Sequence, residues 1–249
     1  MENNRNSSFC IKLADTVIRI EPLYGYIEEY CRGYITDEPE KFTVRTESGD
    51  IDFERERSAK EDIAEGRPVV DYSDEYLETL AVYRKIAEKL TMSGIVLFHG
   101  SVVAVDGIGY LFTAKSGTGK STHTRLWREH FGNRAVMVND DKPLLKITEN
   151  GVIACGTPWN GKHRLSTDIS VPLKAVCVLS RDSINHIEEA EPKKVYPLLL
   201  QQTYRPMDKI SMIQTLKLLD LLVKNVKIFR LGCNMSPEAA RVAFEGMNR

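Results

Sequence analysis

Ala114-Lys115-Ser116-Gly117-Thr118-Gly119-Lys120-Ser121 is the stretch on which the fold turns. Its spacing is that of a phosphate-binding loop, with Ala114 where the first glycine usually stands and Gly-Lys-Ser intact at the end. A β-like run, Gly109 to Thr113, precedes it, and a helix-like run, Ser121 to Phe131, follows. Small residues let backbone N–H groups curl around phosphate oxygens, and the following helix points its positive end at the same anion. In that setting Lys120 neutralises terminal phosphates and the Ser121 hydroxyl ligates Mg²⁺. Ala114 is compatible only if its backbone does not need a positive φ. The competing reading is a Gly/Ser-rich turn with an incidental lysine, for which the strand before and the helix after have no purpose.

The rest of the chain bounds the function. Its 249 residues suit one large or two small domains, and 42% hydrophobic content supplies a sizeable core. A net charge of −1, without a basic block, gives no pull toward nucleic acid or anionic membrane. The five cysteines are widely spaced, with no Cys-x-x-Cys, and read as reduced thiols rather than a disulfide or zinc framework. Met1 to Ser8 lacks the apolar run of a signal peptide, and no segment reaches the length of a membrane span. The expectation is a cytoplasmic protein.

Two parts are expected. Residues 1–72 read as a small β-rich region: Phe9 to Leu13 and Thr16 to Ile20 flank Ala14-Asp15, and Lys41 to Arg45 and Ile51 to Phe53 alternate about Ser48-Gly49-Asp50 as a hairpin. Glu54 to Gly66 is highly charged and reads as an exposed connection. Residues 73–249 read as an α/β domain. Ser73 caps a helix to about Thr91, with Tyr76, Leu80, Tyr83, Ala87 and Leu90 on one face. Short strands and glycine turns follow from Ile95, with Asp106-Gly107 the clearest turn. Val195 to Gln202 and Ile210 to Asn225 read as helices, Val226 to Leu231 as a strand, and Ser236-Pro237-Glu238 as the start of a last helix.

Three further places carry chemistry. Asp140 and Asp141 follow an apolar strand, Ala135 to Val138, where nucleotide enzymes hold Mg²⁺. Two adjacent carboxylates allow one to serve the metal and the other to take a proton from an attacking hydroxyl; Asn-Asp-Asp is also an ordinary turn sequence. His99 ends a strand, either as a structural hydrogen-bonding residue or as a group touching phosphate or substrate. Gly156 to Arg164 is a loop in which Lys162 or Arg164 can hold phosphate oxygens or substrate, and Trp159 either stacks on a ring or packs. Arg205 is a weaker candidate for stabilising transition-state charge, including from a neighbouring subunit.

His99-Gly100-Ser101, the loop, and Asp140-Asp141, in that order and spacing, resemble the HPr kinase/phosphorylase family, whose core is similar to that of ATP-dependent phosphoenolpyruvate carboxykinase. The likeness covers about residues 95 to 145. It implies a carboxykinase-like α/β core with a twisted mixed sheet, and ATP with Mg²⁺ held by Ser116, Gly117, Thr118, Gly119, Lys120, Ser121 and Thr122. It also implies phosphoryl transfer to a hydroxyl, with Asp140 as acid/base, Asp141 on the metal, His99 on the substrate or phosphate side, and assembly of identical chains into rings. The chain departs from the family at Thr122, where glutamate is usual, and in lacking an Arg-Pro-Gly-Arg-Asn stretch near Asp168 to Leu173. It looks more like the small kinases of this type, some of which phosphorylate serine on peptides. The expected activity is therefore an ATP- and Mg²⁺-dependent kinase whose acceptor is a hydroxyl of a peptide, protein or small molecule. A non-catalytic ATP-binding regulator and a small ATPase remain as alternatives.

Overall fold

The computed structural model describes residues 7–115, 117–161 and 163–249, and the chain divides into two compact units, Met1–Lys89 and Leu90–Arg249. In the first unit β1 (Phe9–Leu13) and β2 (Thr16–Glu21) form an antiparallel hairpin. Ala14 and Asp15 turn it with φ of 47° and 62°, the left-handed pair that matches the twist of two-residue hairpins. After a short helix α1 (Tyr26–Tyr30), β3 (Phe42–Arg45) joins the sheet parallel to β2.

From there the chain differs from its sequence-based reading. The expected hairpin about Ser48-Gly49-Asp50 and the exposed connection after it are one helix, α2 (Ser48–Ala64). Asp50 accepts the Glu47 N–H at 3.0 Å in a capping box, which starts a helix where a turn was expected. The inner face of α2 buries carboxylates rather than a full apolar stripe. Arg84, from α3 (Asp74–Thr91), donates to Glu54 at 2.6 Å and to Asp50 at 3.0 Å, and Lys85 reaches Asp50 at 2.6 Å. Ser73 caps α3 as expected, its Oγ accepting the Tyr76 N–H at 3.4 Å. Within α3 the fully buried Glu78 accepts the N–H groups of Leu23 at 2.6 Å and Tyr24 at 2.9 Å, and the hydroxyl of Thr46.

The second unit is a mixed α/β structure around a nine-stranded mixed sheet. Its elements are β4 (Ile95–Leu97), β5 (Ser101–Val105), β6 (Ile108–Thr113), α4 (Lys120–Phe131), β7 (Ala135–Asn139), β8 (Leu144–Thr148), β9 (Gly151–Cys155), β10 (Ser170–Arg181), β11 (His186–Glu189), α5 (Pro192–Gln202), α6 (Lys209–Asn225), β12 (Lys227–Cys233) and α7 (Glu238–Met247). The order is β4-β8-β9-β10-β6-β5-β7, with β12 also on β10 and β11 on β12. β10 changes partners along its length. Ser170 to Pro172 run antiparallel to β9, and from Ala175 onward it lies parallel to β6 and β12.

Alternation along the central strands divides the core between two faces. Val102, Ala104, Leu111 and Val176 point to the side covered by α5 and α6, with Leu199, Leu218 and Leu222. Val103, Val105, Tyr110, Phe112 and Cys177 point to the other side, with Leu126 and Trp127 of α4 and Ala240 and Ala243 of α7. All five cysteines are unpaired. Among the described residues no helix is long and apolar enough to cross a membrane.

Candidate active site

β6 ends at Thr113 and α4 begins at Lys120, so the residues between them form a tight loop at the strand's carboxyl end. Positive φ falls on Gly117 (74°) and Gly119 (122°), while Ala114 is not among the positive-φ residues, as its side chain requires. The Thr118 hydroxyl donates to the Lys115 carbonyl at 2.8 Å and Lys120 Nζ donates to the Ala114 carbonyl at 3.3 Å. Ser121 and Thr122 occupy the first turn of α4, Ser121 exposed. Ser116 lies outside the described residues.

Arg181, at the end of β10, holds this loop from outside. Its Nη2 donates to the Gly117 carbonyl at 2.7 Å and its Nε to the Thr118 carbonyl at 3.4 Å. In a trans peptide the C=O and N–H point opposite ways, so anchoring Thr118 O turns the Gly119 N–H away from Arg181. Sequence reading missed Arg181, because only the parallel pairing of β10 with β6 brings it beside the loop. A cavity of about 590 Å³ opens here, walled by Lys115, Thr118, Val178, Leu179, Arg181 and Leu198.

The carboxylates stand after β7. Asn139 is fully buried and its Oδ1 accepts the N–H groups of Asp141 at 2.9 Å and Lys142 at 2.7 Å, which turns the chain sharply. Its Nδ2 donates to Thr157 O and Oγ1, both at 3.0 Å, tying the turn to the loop after β9. The Ser101 hydroxyl donates to the Asp140 carbonyl at 2.7 Å. Asp140 is 3% exposed, and its Oδ1 accepts the Gly161 N–H at 2.6 Å. His99 Nε2 lies 3.2 Å from Asp141 Oδ1, and the Gly100 N–H donates to the Asp141 carbonyl at 2.9 Å.

These surroundings drive the two carboxyls apart. Burial pushes Asp140 up; the Gly161 N–H opposes it, the Asp141 charge adds to it, and His163 and Arg128 oppose it, leaving it above its ordinary value. Burial also works against ionisation of Asp141, but the His99 hydrogen bond and the charges of Lys142, His99 and Lys120 outweigh it and hold that carboxyl low. A neighbouring pair displaced in opposite directions is the arrangement by which one carboxylate stays ionised while the other exchanges a proton.

Of the other candidates, Arg164 is exposed with φ of 51° and donates its N–H to Gly161 O at 2.8 Å. Lys162 lies outside the described residues. Trp159 is 1% exposed, so it packs rather than offering an open stacking face. Arg205 is exposed, in a segment tied to the His99 strand through Gln202 O, which accepts the His99 N–H at 2.7 Å, and the Tyr204 N–H on Leu97 O at 2.9 Å. Ser121, in the first turn of α4, and Asp141, after β7, are hard oxygen donors. Among the described residues no group of three or more His, Cys, Asp or Glu side chains is gathered for a metal. That donor set suits Mg²⁺, which keeps water and substrate phosphates as its other ligands.

No family model and no curated protein matches the chain. Among solved structures it is similar to the HPr(Ser) kinase/phosphatase from Coxiella burnetii, at 14% identity over 49% of this chain and 87% of that chain, with a TM-score of 0.28. A likeness that slight leaves the chemistry to the site's own residues.

Proposed function

We propose that this protein is an ATP- and Mg²⁺-dependent phosphotransferase that moves the γ-phosphoryl group onto a hydroxyl of a peptide, protein or small molecule. The observation that supports the reading is the geometry after β7, where Asp140 Oδ1 is held by the Gly161 N–H at 2.6 Å and Asp141 Oδ1 lies 3.2 Å from His99 Nε2, on the sheet whose strand β6 leads into the glycine loop and Lys120. The amides of Gly117 to Ser121 and the positive end of α4 receive the β- and γ-phosphates, and Lys120 screens their charge. The cavity walled by Val178, Leu179 and Leu198 takes the nucleoside. Ser121 and Asp141 would hold Mg²⁺, which neutralises charge on the phosphate oxygens when bound. His99 fixes the Asp141 carboxylate through its 3.2 Å contact.

Asp140 is the base. Its Oδ1 is held by the Gly161 N–H, which leaves Oδ2 to accept the hydroxyl proton. The acceptor oxygen bonds to the γ-phosphorus, the bond from that phosphorus to the bridging oxygen breaks, ADP leaves, and the proton stays on Asp140. Positioning and charge stabilisation supply most of the rate.

The test is transfer of label from γ-labelled ATP with Mg²⁺ into peptide, protein and small-molecule fractions of a heat-treated lysate. Wild type and Asp140→Asn are run side by side. Loss of the base lowers transfer by about 10²- to 10⁴-fold while nucleotide affinity is kept. Full activity in Asp140→Asn removes the base assignment. Free phosphate alone favours an ATPase, and bound ATP with no turnover favours a regulator.

A further inference from the structure

The first unit has a cavity of its own, about 530 Å³, within the size range of ligand sites. Its walls are Tyr24, Gly25 and Tyr26, where α1 begins, and Ser73, Glu75 and Tyr76, where α3 begins. The two helix starts are tied together. The buried Glu78 carboxylate accepts the Leu23 and Tyr24 N–H groups at 2.6 and 2.9 Å, and the Tyr24 hydroxyl donates to Asp74 Oδ2 at 3.1 Å. Tyr72 backs Tyr76, with ring centroids 5.0 Å apart and planes inclined by 33°. The tyrosines are therefore set in place before any ligand arrives.

Every wall group is aromatic, neutral or acidic. The nearby Arg55 is already engaged: it donates to the Tyr72 carbonyl at 3.0 Å and to Asp71 at 3.3 Å, and it pairs with Asp74. Glu75 has no ion pair among the described residues. The start of a helix favours an anion, but Ser73 caps α3, and Asp74 and Glu75 stand in its first turn, so that demand is met from within. The Asp74 hydrogen bond, burial and the charges of Asp74, Glu75 and Glu78 hold the Tyr24 hydroxyl above its ordinary value, so its ring stays neutral. The face of such a ring is the negative side of its quadrupole and attracts a cation set over it. A guanidinium is flat, stacks on aromatic rings and forks to a carboxylate, which an ammonium does less well.

We propose that this cavity recognises an arginine side chain of a peptide or protein partner, the guanidinium lying against the tyrosine rings and pairing with Glu75. The cavity has more room than one side chain fills, so the flanking peptide backbone enters with it. The site lies within the first unit, and its occupancy needs no nucleotide.

The experiment titrates the full chain by calorimetry with the acetylated, amidated peptide Gly-Gly-Arg-Gly-Gly. Two copies serve as controls, one with citrulline in place of the arginine, which keeps the shape and removes the charge, and one with glutamate. Wild type binds the arginine peptide saturably in the millimolar range or tighter, and the citrulline copy about fivefold or more weakly. Glu75→Gln and Tyr26→Leu each weaken the arginine peptide by about two- to fivefold, while Tyr26→Phe, which keeps the ring, binds as wild type does. Both side chains are exposed, so neither change disturbs the core. Glu38→Gln, at an exposed carboxylate outside the cavity, leaves binding unaltered. Three results would each overturn the site: no saturable binding of the arginine peptide, equal binding of the citrulline copy, or binding that Glu75→Gln and Tyr26→Leu both leave unchanged. Tighter binding of the glutamate copy would overturn it as well, by showing that the start of α3 draws an anion instead.

Discussion

Acid should loosen the helix that carries Lys120 and Ser121, through one buried side chain. His123, in the first turn of α4, is 3% exposed. Its Nε2 accepts the indole N–H of Trp127 at 3.0 Å, and its ring meets Phe112 edge-on at a centroid distance of 4.7 Å. Nδ1 then bears the proton and is buried without a partner among the described residues. Burial lowers the imidazole from an ordinary 6.5 to about 4. The unfolded chain therefore binds a proton at mildly acidic pH that the native state refuses. Stability is full above 6.5 and is lost as the pH falls toward the folded value, to a limit of about 3 kcal/mol and about 2 kcal/mol by about pH 5. The assay is urea unfolding followed by circular dichroism at about pH 8 and about pH 5. Wild type is compared with His123→Leu/Trp127→Phe, which removes donor and acceptor together and orphans neither. Wild type should lose about 2 kcal/mol more than the double variant between the two conditions. Equal losses would refute the assignment of a neutral, buried His123.

Two other substitutions probe the site. A Cβ on Gly161 would stand 2.9 Å from Asp140 Oδ1, so Gly161→Ala should displace the carboxylate and lower kcat by about tenfold or more, with nucleotide affinity unchanged in a direct titration; an unaltered kcat would mean that the carboxylate need not be held there. Arg181→Gln removes both anchors on the Gly117 and Thr118 carbonyls and should weaken ATP binding by about tenfold, about 1.4 kcal/mol. Wild-type affinity in that variant would show that the glycine loop keeps its shape unaided.

The parts of the site legible in sequence were those written in contiguous residues. The loop between β6 and α4, the turn after β7 and the last three regular elements all announce themselves by local apolar period and small or turn-forming residues. What could not be read depends on partners distant along the chain. α2 hid because Glu54 and Asp62 are buried by virtue of arginines, Arg84 and Arg67, so the expected apolar stripe is broken by charge. The capping box between Glu47 and Asp50 starts a helix where alternation suggested the turn of a hairpin. Asn139 looked like one letter of a turn, but its side chain ties the aspartates to the segment at Thr157. Arg181 had no signal until the strands were paired.

The exchange of partners along β10 has a consequence for the order in which the molecule assembles. Its carboxyl half pairs in parallel with β6, far behind it in sequence, and with β12, far ahead. Such contacts close long loops before they return any stabilisation, and so they form slowly. Arg181 reaches the Gly117 and Thr118 carbonyls only when that half of β10 has docked beside β6. The anchored form of the loop is accordingly a late product of folding. On the proposed function, a nucleotide that requires it would not nucleate the sheet; it would act as a latch on the finished one, slowing its unraveling rather than hastening its formation.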